Sequence, residues 1–224
     1  SGLEEDVRRG LDGASGSRLP GASQQLDVTP AMVAAQVATP AADDYRRADT
    51  IVNTIPEALR ELATKREAVM PLMLGLLLAE EEDLAARQHG EIAARMGEET
   101  AAFATRIHEQ LVAELHPMLR LPLAALAFPV LRLRPRPDLD RFLDTVFAVV
   151  NADGEVSLFE YCLGRLLTVQ VMESLDPSRY ARFGRRKPGN VRNEFAILLA
   201  VVAHAGHEDA ASAKRAYLAG LQRV

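Results

Sequence analysis

The stretch Asn151-Ala152-Asp153-Gly154-Glu155-Val156-Ser157-Leu158-Phe159-Glu160 sets oxygen-bearing side chains around a glycine. The chemistry this suggests is calcium binding. A calcium loop wants oxygen ligands at positions 1, 3 and 5, glycine at 6, an aliphatic residue at 8 and glutamate at 12. With Gly154 at the glycine position, Asn151, Asp153, Val156 and Glu160 match the third, fifth, eighth and twelfth places. The first place falls on Val149, which offers no ligand. A second reading stands beside the weak metal site. In it the stretch is the turn of an αα-hairpin, with Gly154 in a left-handed conformation and Asp153 capping the loop. Ser157 and Glu160 then form a Ser-x-x-Glu capping box for the next helix.

Other reactive residues fall into weaker patterns. His204, His207, Glu208 and Asp209 have zinc-ligand chemistry. Gly206 breaks the helical spacing between them, which favours a polar turn between helices. His108-Glu109 lacks the second histidine of a His-Glu-x-x-His zinc helix. The single cysteine, Cys162, lies on an apolar helical face and reads as inert core. No phosphate-cradling glycine loop or nucleophile elbow occurs, so the residues specify no reaction class. The segment from Ser178 to Arg192 carries Arg179, Arg182, Arg185, Arg186, Lys187 and Arg192 with no acid, and Tyr180 and Phe183 lie among them. It reads as a solvated loop, as a contact for anionic lipid headgroups or as a phosphate contact for nucleic acid. The net charge of −5, from 26 Lys and Arg against 31 Asp and Glu, disfavours nucleic acid.

The elements that must position these groups are helical. The 224 residues are 48% hydrophobic, enough for a core without disulfides or zinc. No alternating strand pattern or hairpin dipeptide is present. The apolar runs Met70 to Ala79, Leu121 to Leu131 and Phe195 to Ala203 are shorter than a span of about 20 residues and suit buried core helices. The fold class is therefore all-α, an irregular bundle of roughly eight to ten antiparallel helices. Ser1-Gly2, without an initiating Met, reads as the scar of a cleaved tag on a piece of a longer protein. A short helix is expected at Leu3 to Arg9, a linker at Gly10 to Gln25 and a helix start at Thr29-Pro30. Residues 1–28 are thus expected to be a flexible linker, and residues 29–224 the helical domain with its core from 51 onward.

Further on, Val69 to Leu78 is apolar all round and should be buried. The Glu80 to Asp83 acids should begin a helix, where its dipole favours them. Glu98 to Leu115 predicts one long helix ended by Pro117, followed by a helix over Leu121 to Leu131. Arg132 to Pro137 should be a non-helical connector. Leu139, Phe142, Leu143, Val146, Phe147 and Val150 share an apolar face, as do Phe159, Cys162, Leu163, Leu166 and Leu167. Asp176-Pro177 closes that second helix. A helix with Phe195, Leu198, Leu199 and Val202 then runs to about His204, with Gly206 as its cap, and Glu208 to Leu221 is the last helix.

Two stretches carry a family resemblance. Leu3-Glu4-Glu5-Asp6-Val7-Arg8-Arg9-Gly10-Leu11-Asp12 resembles part of the segment that closes the catalytic domain of membrane-embedded zinc metallopeptidases of the HtpX and CAAX-prenyl-protease type. Ile55 to Arg60, the run around Leu74 to Leu78 and above all Arg141 to Tyr161 resemble the helical C-terminal extension of a bacterial subgroup. The hairpin at 139–175 is also similar to tellurite-resistance TerB-like helical domains, in which an Ala-Asp-Gly turn joins two core helices. The resemblance implies a non-catalytic, soluble interaction or regulatory domain of a membrane-bound zinc metalloendopeptidase. Its zinc and catalytic residues would lie upstream of Ser1, and this piece would hold no cofactor. The upstream peptidase domain would be its partner in cis. A protein partner or anionic headgroups would meet the basic segment at the cytoplasmic face of the bacterial inner membrane. The alternative is a free-standing TerB-like metal-responsive module. The TerB resemblance would then place metal contacts on Asp153, Glu155 and Glu160.

Overall fold

The computed structural model describes residues 42–181, 184 and 187–222. The expected helix at Leu3 to Arg9, the linker and the Thr29-Pro30 start lie outside these residues. Every described element is helical, as the all-α expectation requires. The chain divides into two compact units, Ser1–Val171 and Met172–Val224.

In the first unit, α1 is Ala42–Thr54, α2 is Glu57–Thr64 and α3 is Val69–Gly75. All seven residues of α3 are buried, and α2, the later helices and a π turn surround it. A helix with no polar face can only be satisfied by partners on every side. Leu76, Leu77 and Leu78 continue it as buried chain. The acids then open α4, Glu82–Met96. Gly97, at φ +89°, both ends α4 and begins α5, Glu98–Ile107. That left-handed φ suits glycine and reverses the chain tightly.

The long helix expected over Glu98 to Leu115 does not run through. At His108–Val112 it widens into a π turn, closed by Ala113 N–H donating to the His108 carbonyl at 2.8 Å. The extra residue turns the His108 imidazole inward, with Nδ1 3.0 Å from the Gly75 carbonyl oxygen. Here α3 and α5 nearly touch, since a Cβ on Gly75 would sit 3.0 Å from the Ala104 carbonyl oxygen. Pro117 does not simply end a helix; it opens the next, α6, Pro117–Leu131. His116 caps α6, its Nδ1 accepting from Met118 N–H. Proline at the first helical position removes only an N–H that lacks an intrahelical partner. The connector expected at Arg132 to Pro137 occurs over 132–135 and, for the same reason, stops short of Arg136 and Pro137. Pro135 caps α7, Arg136–Val150, and Pro137 sits in its first turn.

After the turn, α8 is Leu158–Leu175. Phe142, Val146 and Val150 of α7, and Leu163 and Leu167 of α8, are buried as expected. Phe147 is not, at 72% exposed, and Leu166 is also open. Cys162 is half-buried rather than core.

The second unit holds the short α9, Pro177–Tyr180, a 3-10 turn at Pro188–Val191, α10, Arg192–Ala205, and α11, Ala210–Leu221. Helices α10 and α11 pack on each other. Gly206 does cap α10, but with φ −90°, in the right-handed region rather than the left-handed one.

Candidate functional site

The hairpin between α7 and α8 folds as the turn reading requires. Gly154 has φ +79°. Asp153 Oδ1 accepts from Glu155 N–H at 3.0 Å. Glu160 Oε2 accepts from Ser157 N–H at 2.9 Å, and Ser157 Oγ accepts from Glu160 N–H at 3.2 Å. Two of the three carboxylates named as metal contacts, Asp153 and Glu160, thus already hold backbone donors, and Glu155 is exposed. Among the described residues no group of three or more His, Cys, Asp or Glu side chains is placed to hold a metal ion.

The histidine pair near the C-terminus forms an inter-helix turn. His207 Nδ1 lies 2.9 Å from the Ala203 carbonyl oxygen, while His204 is exposed. Asp209 caps α11 through Ser212 N–H at 2.8 Å. Hydrogen bonding from Ser212 holds the Asp209 carboxyl below its ordinary value, because those bonds favour the ionised form.

A line of groups that spacing did not reveal joins α4 to α5. His89 Nδ1 is 2.9 Å from Thr105 Oγ1, and His89 Nε2 is 3.0 Å from Glu98 Oε1. The order resembles a nucleophile, base and orienter. Glu98 is exposed, however, so the line opens on bulk water, and it serves as a strap across the Gly97 turn.

The basic segment lies in the second unit. Arg179, Lys187 and Arg192 are exposed, and Arg182, Arg185 and Arg186 fall outside the described residues. The Arg179 guanidinium stacks 5.2 Å from the Tyr180 ring centre. Arg192 is the first residue of α10.

Helix α10 was expected as core, and the structure corrects this. Phe195, Ile197, Leu198, Val201 and Val202 are between 44% and 65% exposed. At 100° per residue they cover about 160° of the helix. The opposite side carries Ala196, Leu199, Ala200 and the buried Ala203, and it packs on α11. Gly220 of α11 comes so near that a Cβ there would lie 3.1 Å from Leu199 Cδ2. The helix is apolar on both sides, but only one side is covered. The sequence carried this signal as an apolar run too short to cross a membrane, next to a cluster of cations. No described helix is long and apolar enough to cross a membrane.

No family model, curated protein or solved structure matches this chain.

Proposed function

We propose that the chain is a non-catalytic interaction domain of a bacterial membrane-bound zinc metallopeptidase, and that its second unit docks on the anionic cytoplasmic leaflet beside that enzyme. The observation that carries the docking is the uncovered apolar side of α10, which follows directly after the basic segment. A contiguous apolar patch is costly to leave in water and marks an interaction surface. Fourteen residues at 1.5 Å each make a helix of about 21 Å, which can lie in the interface but not span it. Each Lys or Arg held near an anionic leaflet adds about 1 kcal/mol. The six cations from Arg179 to Arg192 therefore supply attraction where the apolar side chains supply insertion. The parent enzyme is supported by the resemblance of Leu3 to Asp12 and of Arg141 to Tyr161.

Sedimentation with vesicles tests the docking. The chain should pellet with phosphatidylglycerol-containing vesicles and not with neutral phosphatidylcholine vesicles. Raising the salt should weaken the binding as the cations are screened. The double variant I197E/V201E should stay in the supernatant with its helical circular dichroism intact. Absence of pelleting with anionic vesicles at low salt would refute the docking.

A further inference from the structure

A cleft of about 480 Å³ opens in the first unit between the exit of α3, the start of α6 and the hairpin entering α8. Its floor is aliphatic and aromatic, built from Leu76, Leu77, Leu78, Leu84 and Phe159. Four carboxylates, Glu80, Asp153, Glu155 and Glu160, stand among its lining residues. Among the described residues the one cation lining it is Arg120, whose side chain is only 18% exposed. Its guanidinium stacks 5.8 Å from the Phe159 ring centre. Glu80 Oε1, 3.7 Å from its Nη2, is too far for a hydrogen bond and is itself largely exposed. Nε is buried without a partner among the described residues.

A guanidinium brings five N–H donors in a planar fork that matches a carboxylate. The Arg120 Nε–H is unmet and Nη2 has only the long pairing with the exposed Glu80, so the guanidinium keeps donors for a further acceptor, and the volume is that of a ligand pocket. The surroundings select the ligand. The leucine floor suits an aliphatic side chain. The surrounding carboxylates repel a dianion such as phosphate and attract a cation beside the bound carboxylate. We infer that this cleft binds the free C-terminus of a peptide that ends in an aliphatic residue preceded by a basic one. The terminal carboxylate meets Arg120, the last side chain rests on the leucines, and the basic residue meets Glu80 and Glu155. This goes beyond the membrane reading and involves other residues, so it stands or falls without vesicles.

Fluorescence anisotropy of a labelled Gly-Gly-Lys-Leu peptide with the full chain tests it. Saturable binding is expected, weakened at least tenfold when the terminal carboxylate is made an amide. Replacing the lysine by glutamate should weaken it similarly. R120K keeps the charge but loses the fork, and should also cost about tenfold while the melting temperature holds. The amide comparison needs no variant, so it stands even if a substitution disturbs folding. Equal binding of acid and amide, or no saturable binding, would overturn the inference. Binding of decanoate in place of the peptide would overturn the peptide assignment.

Discussion

A Gln88→Leu variant is expected to unfold with about 3 kcal/mol less free energy than the parent chain. Gln88 is 1% exposed in the middle of α4, where an amide has no access to water. Its Oε1 accepts from Ala79 N–H at 2.8 Å. Its Nε2 donates to the Leu77 carbonyl at 3.2 Å and to the Val149 carbonyl at 3.2 Å. One side chain thus ties the buried chain after α3, helix α4 and the end of α7. Leucine fills nearly the same volume, so the loss is polar rather than steric. It strands the part-buried Ala79 N–H and the buried Leu77 carbonyl oxygen, each costing about 1–3 kcal/mol if nothing replaces the bond, while the Val149 carbonyl keeps Ala152 N–H at 3.4 Å. Partial relaxation towards water brings the sum down to the stated figure. Urea unfolding followed by far-ultraviolet circular dichroism measures it. An unchanged midpoint would show that these bonds are not the tie described.

The second large effect belongs to Phe142→Ala, expected to cost about 3–5 kcal/mol. Phe142 is fully buried on α7, among the largest side chains shut inside the core. Truncation removes its transfer energy and leaves a cavity that a close-packed interior fills only in part. Phe147, one and a half turns later, provides the control. It is largely exposed, so Phe147→Ala should change stability by no more than about 0.5 kcal/mol. The sequence places both phenylalanines on one apolar stripe, and only the packing separates them. Equal losses would mean that the Phe147 face is covered in solution.

This pair shows where the sequence is informative. Local chemistry is legible from residue order. The Ser157 and Glu160 cap, the Gly154 turn and the burial of α3 all follow from short spacings and all occur. Coverage is not legible, because periodicity marks which residues are apolar and not what lies against them. Phe147 and the outer side of α10 were therefore expected inside. The helix starts at Pro117 and Arg136 lie earlier than the spacing suggests, because a residue that breaks a helix interior suits its first turn. The π turn at His108 goes with a contact of its imidazole to the Gly75 carbonyl, 33 residues away, which no local spacing announces. The Gln88 tie reaches 61 residues to Val149. The cleft at Arg120 draws on separate segments between Leu76 and Glu160, and no local pattern announces it.

The central claim is that the uncovered side of α10 enters an anionic membrane surface. The chain contains no tryptophan, so a Val201→Trp substitution places a single indole on that side. With phosphatidylglycerol-containing vesicles its emission should shift to the blue, and lipids brominated on their acyl chains should quench it. Emission that stays at the wavelength of a water-exposed indole, unquenched across the same vesicle concentrations, would contradict the account.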